Sequence, residues 1–181
     1  MKKVLAFVAA LCCSLALTAT DYSCHLKVTV NENSGEQDEI PVEVVKGNGT
    51  YTLTLKNFIL VQEGVSLPVG NIEVAGVEGV DEYGFTTIRF NEPIVIAAGD
   101  DPNYSESEWL GPLLGEVPLD MTARFTDSAL SANIDIELAA LGQVIGVELF
   151  GVAPELTGDV NNDNEVNILD VDSIIKIILE N

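Results

Sequence analysis

The sequence predicts an all-β chain: an antiparallel barrel or sandwich of about eight strands, with a small loop-and-helix unit appended at its C-terminus. Three observations predict it. From Tyr22 to about Gly151 apolar and polar residues alternate, which in a strand puts one set on a core face and the other in water. Turn-forming runs such as Gly47-Asn48-Gly49 and Thr126-Asp127-Ser128 divide that stretch, with no convincing helix between them. After Pro154 the period changes, and a short amphipathic helix ends the chain.

Residues 1–20 precede the fold. Lys2-Lys3, an apolar run from Val4 to Leu17 and then Thr18-Ala19-Thr20 follow the basic, apolar and small-residue order of a secretory signal peptide. The run falls short of the roughly 20 apolar residues that cross a bilayer, so no membrane span is expected. The chain is therefore read as secreted or cell-surface. Cys12 and Cys13 inside the run make a lipoprotein the minor alternative. Beyond the leader Cys24 is the sole thiol, so it forms no internal disulfide, and its place in an alternating segment makes it a buried structural cysteine.

Residues 21–151 are read as the β domain. Tyr51, Leu53 and Leu55 alternate with Thr52, Thr54 and Lys56, and Ile134, Ile136 and Leu138 alternate with Asn133, Asp135 and Glu137. Further strands are expected over 39–46, 67–77, 84–90, 93–98, 117–126 and 143–150, and Tyr22 to Val28 also alternates. Closing the sheet on itself would remove its exposed edges, which favours the barrel. Gly99 to Gly115 reads as a long loop, the kind that serves as a lid or a contact surface.

Residues 49–58 (GTYTLTLKNF), 67–74 (LPVGNIEV) and 132–136 (ANIDI) resemble the calycin-like β-barrel domains of proteins secreted by gut-dwelling bacteria. The resemblance covers about residues 22 to 151. It implies a calycin- or lipocalin-like barrel whose mouth can hold a small apolar ligand.

Residues 152–157 form a linker, and 158–181 carry the sharpest chemical signal. Asp159, Asn161, Asp163, Asn167 and Asp170 fall at positions 1, 3, 5, 9 and 12 of a twelve-residue loop, with Glu165 at position 7 offering its backbone carbonyl. A hard cation such as Ca²⁺ takes six to eight oxygens, and this spacing wraps them around one centre. Two positions differ from the EF-hand pattern: Asp170 replaces the terminal Glu, and Asn164 replaces the turn Gly. Asn tolerates left-handed backbone angles, so the turn remains feasible. From Ile168 a helix follows, with Val171, Ile174, Ile175, Ile178 and Leu179 on one face.

The same stretch resembles one type I dockerin repeat, in its Gly-Asp-Val-Asn opening, its Asp at loop position 12 and its aliphatic helix. The resemblance implies calcium-dependent folding and docking to a cohesin-like or other surface protein, often in polysaccharide utilisation. It assigns partner contacts to Ile168, Leu169 and Lys176. Dockerins usually carry two repeats, whereas this chain shows one.

The formal charge is −21, from 8 basic and 29 acidic residues, and removing the leader makes it −23. Nucleic acid binders must neutralise phosphates with Lys and Arg, so a nucleic acid partner is excluded. No nucleophile elbow or phosphate loop is present. His25 has no partner that the sequence can place beside it, and Glu106 and Glu108 near Trp109 are the best carboxylate pair for a hydrolase. In so acidic a chain an accidental pair is expected, so the reading is non-catalytic. The chain is read as a binding or adaptor module held by a calcium repeat, its partners including a glycan; the alternative is a carrier of a small apolar molecule.

Overall fold

The computed structural model describes residues 18–31, 33–62, 64–138, 142–153, 160 and 168–179. Eight strands run in chain order around a closed barrel: β1 (Thr18–Val30), β2 (Asn33–Lys46), β3 (Thr50–Gln62), β4 (Val65–Glu82), β5 (Phe85–Val95), β6 (Glu116–Phe125), β7 (Ala129–Leu138) and β8 (Gln143–Val152). Every neighbouring pair is antiparallel, and β8 closes on β1 from Ser23 opposite Val152 to Val30 opposite Ile145. The alternation expected from the sequence is what fills the barrel. On β6, Val117, Leu119, Met121, Ala123 and Phe125 are buried, while Glu116, Pro118, Asp120 and Arg124 are exposed.

The strands are longer than the sequence suggests. β2 begins at Asn33 because residues 33–37, though polar, pair with β1. β4 runs through Gly79 and Val80, and its turn is confined to Tyr83 and Gly84, both with positive φ as a two-residue hairpin loop requires. The separate strands expected over 84–90 and 93–98 are one strand, β5. It continues through Pro93, which lies opposite Pro118 on β6, so neither residue has an N–H to leave unpaired. Pairing of β1 begins at Thr18, inside the segment read as leader.

One end of the barrel is sealed by aromatic groups. The Tyr51 and Phe125 rings meet edge to face at 5.0 Å, and Tyr22 donates its hydroxyl hydrogen to the Thr126 carbonyl at 2.6 Å. The other end receives the long β5–β6 connection. That connection holds a 3₁₀ turn at Glu106–Glu108 and a short helix, α1 (Gly111–Leu114). The C-terminal helix expected after Ile168 is present as α2 (Ile168–Leu179), with Asp170 in its first turn and Lys176 in its last, as the helix dipole favours.

Two seams of the barrel are only half zipped. β2 and β3 pair over Glu43–Lys46 and Tyr51–Thr54, and β4 and β5 over Gly79–Glu82 and Phe85–Ile88. The half of the β3–β4 hairpin that lies towards the β5–β6 connection is therefore flanked by a gap on each side. These gaps decide what surrounds the interior.

Candidate functional site

The interior towards that less sealed end is not filled. A cavity of about 140 Å³ lies there, lined, among the described residues, only by apolar side chains. Leu26 and Val28 of β1, Leu55 and Phe58 of β3, Met121 of β6 and Val147 of β8 are among its walls. Its size is close to that of engineered cavities of about 150 Å³, which stay dry and take up benzene or xenon. With no polar group on its walls, it offers nothing to a charged or hydrogen-bonding solute and favours a hydrocarbon.

The wall facing the β4–β5 gap is supplied by the β5–β6 connection. Ala97 bridges Asn71 through two backbone hydrogen bonds of 2.9 and 3.1 Å, and the Leu110 N–H donates to the Pro68 carbonyl at 2.8 Å. Asn71 Nδ2 donates to the Ala98 carbonyl at 3.0 Å, and its Oδ1 accepts from the Asn57 N–H at 2.8 Å. Asn57 and Asp100 exchange two further hydrogen bonds of 2.7 Å. Gly70, with φ near +125°, and Gly99 allow this approach: a Cβ on Gly70 would overlap the Ala97 carbonyl oxygen, and one on Gly99 the Trp109 ring. The segment expected as a lid or a contact surface is thus a strap fastened to β3 and β4. It sends Ile96 and Leu114 into the cavity wall.

Across the β2–β3 gap, among the described residues, a single side chain replaces the missing ladder. Gln37 donates from Nε2 to the Ile59 carbonyl at 3.0 Å and accepts at Oε1 from the Val61 N–H at 2.9 Å. Over this gap lies an outer groove of about 360 Å³, bordered by Gln37, Ile40, Lys56, Ser66 and Tyr104. Leu55 and Phe58 line both the groove and the cavity. They are the partition between them.

Other residues singled out in the sequence have structural partners. Cys24 is buried, its sulfur 3.8 Å from the Tyr22 carbonyl oxygen, and burial pushes its thiol up to about 12. His25 does have a partner: its Nδ1 lies 2.7 Å from Asp38 Oδ1. The sequence could not place them together because the β1–β2 register shifts between Cys24 and Leu26, next to Glu39 with its positive φ. Glu108 accepts from the Ser105 hydroxyl at 2.6 Å and the Ser105 N–H at 2.7 Å, and these bonds hold its carboxyl below the usual range. It caps a turn, whereas a glycosidic general acid needs a raised pKa. Trp109 is 1% exposed and presents no stacking face.

Of the proposed calcium ligands, Asp159, Asn161, Asp163, Glu165 and Asn167 lie outside the described residues, as does Asn164. Asp170 is described. It is 3% exposed, and its Oδ1 accepts a hydrogen bond from the Val160 N–H at 2.7 Å. Positions 2 and 12 of the loop are therefore joined. Ile168 and Leu169 are exposed, as are Lys176 and the described apolar side chains of α2 from Val171 to Leu179.

A profile of the calycin-like beta-barrel domain family matches residues 18–151. No curated protein matches the chain. Two solved structures are similar to it. One is of a provisionally assigned outer membrane protein of Bacteroides fragilis, 17% identical, with a TM-score of 0.51 over 74% of this chain and 50% of that one. The other, of unknown function and from Bacteroides ovatus, is 11% identical with a TM-score of 0.39, over 75% of this chain and 41% of that one. The chain thus spans half or less of the length of these relatives.

Proposed function

The chain belongs to the calycin-like β-barrel domain family, and we propose that it is an exported, non-catalytic binding protein that takes a small apolar molecule into its barrel. The apolar cavity carries this reading. Eight-stranded barrels of this width are either filled by their own side chains or hold one small ligand, and this interior leaves room for a benzene-sized group. The leader supports export. The expected result is that benzene binds the full chain and raises its melting temperature, and that Val147→Phe, which fills the cavity, removes the shift. A melting temperature unmoved by saturating benzene would sink the proposal.

A second reading concerns the tail, which we propose to be a calcium-holding, dockerin-like tether. The Val160–Asp170 hydrogen bond supports it, because it draws the two ends of the oxygen-rich loop together around a buried carboxylate. Asp159, Asn161, Asp163, Asn167 and Asp170 would supply side-chain oxygens and Glu165 a carbonyl. Ile168, Leu169 and Lys176 would meet a cohesin-like or other surface protein. Titrating the full chain with Ca²⁺ tests it.

A further inference from the structure

We infer that the cavity is reached sideways, through the gap between β2 and β3, and that its ligand is a single-chain amphiphile with a short hydrocarbon tail and an uncharged head. The inference rests on the cavity reading above and adds the route and the head-group chemistry. The tail assignment follows from walls that are apolar throughout and a volume that holds about six carbons, the size of benzene. The route follows from how each seam is closed. At the β4–β5 gap the strap adds backbone bonds, Trp109 and the close-packed Gly111, whose Cβ would already overlap Ile96 and the Val69 carbonyl. At the β2–β3 gap the closure is one glutamine amide and the partition side chains. Opening there breaks two hydrogen bonds and unpairs no strand ladder.

The head-group assignment follows from what borders the groove outside that gap. Lys56, Ser66 and Tyr104 offer hydrogen-bonding groups within reach of a molecule whose tail passes between Leu55 and Phe58. Lys56 is the cation among the groove residues, and its ammonium already meets Glu43 Oε2 at 3.1 Å. A carboxylate head would have to displace that partner from a chain of charge −21. A hydroxyl or amide head needs no such exchange.

The test measures binding and exchange of 1-hexanol on the full chain by NMR line shape, with hexanoate and benzene as companions. Hexanol should bind more than about tenfold tighter than hexanoate. Gln37→Met, which keeps the bulk and loses both hydrogen bonds, should speed hexanol exchange about tenfold. Ser66→Trp, on the exposed groove rim, should slow it. If benzene binds but neither variant changes hexanol exchange, the lateral route is overturned. Acceleration by Gly111→Ala without acceleration by Gln37→Met would overturn it in favour of the strap side. Equal binding of hexanoate overturns the uncharged head. Absence of benzene binding overturns the cavity reading itself.

Discussion

Gly151 on β8 leaves the space that the Cys24 sulfur on β1 occupies. The two residues face each other in register across the closing seam, and a Cβ on Gly151 would overlap the sulfur and press on Tyr22. Closure of the barrel therefore depends on one missing side chain. Gly151→Ala should destabilise the fold by about 1–3 kcal/mol through overpacking. Adding Cys24→Ala should recover part of that loss, since the new methyl enters the vacated volume. Urea denaturation of both variants measures it; equal midpoints for the single and double variants would contradict the contact.

Tyr22 and Cys24 also predict alkaline instability. Burial, with Asp127 adding repulsion, pushes Tyr22 from 10.0 up to about 12, and burial alone pushes Cys24 from 9.0 up to about 12. Both groups are neutral when protonated, and the folded state holds those protons more tightly. Their contribution is therefore full below pH 9 and declines as pH rises through 9–10 towards 12, by on the order of 3 kcal/mol for Tyr22 and 4 kcal/mol for Cys24. Tyr22→Phe should flatten the upper part of the decline and lower stability at neutral pH by about 1 kcal/mol, through the lost bond to Thr126. Melting temperatures from pH 7 to 11 report both effects.

The strap has a built-in reporter, because Trp109 is the single tryptophan of the chain and is buried against Gly99 and Tyr104. Its emission should be blue-shifted. Gly99→Ala, whose methyl would enter the indole ring and the Asn57 amide, should shift emission to the red and cost about 1–3 kcal/mol. Unchanged emission would show that the strap accommodates the methyl in place.

For the tail, calorimetric titration of the full chain with Ca²⁺ should give one site. Asp170→Ala should abolish it, since a buried oxygen at loop position 12 is lost. Lys176→Ala should leave Ca²⁺ binding intact. An identical heat for wild type and Asp170→Ala would refute the assignment.

Binary patterning made the eight-stranded antiparallel barrel legible, because a period of two specifies which side chains enter the core whatever the partner strand is. It also placed Cys24 in the interior and a helix after Ile168. Asp170, at position 12 of the proposed loop, is buried, whereas most of the described side chains of its helix are exposed. Periodicity carried no information about where strands part company. The unzipped halves of the β2–β3 and β4–β5 seams, the Gln37 bridge and the His25–Asp38 pair depend on registers set by bulges near Glu39 and Asn57. Gly99–Gly115 reads only as a long loop because the Asn57, Asn71 and Pro68 groups that fasten it lie far away in sequence. The sequence determined which residues are inside. The closed sheet decided that they do not fill it, since a cavity is a property of volumes meeting across the barrel rather than of any one strand.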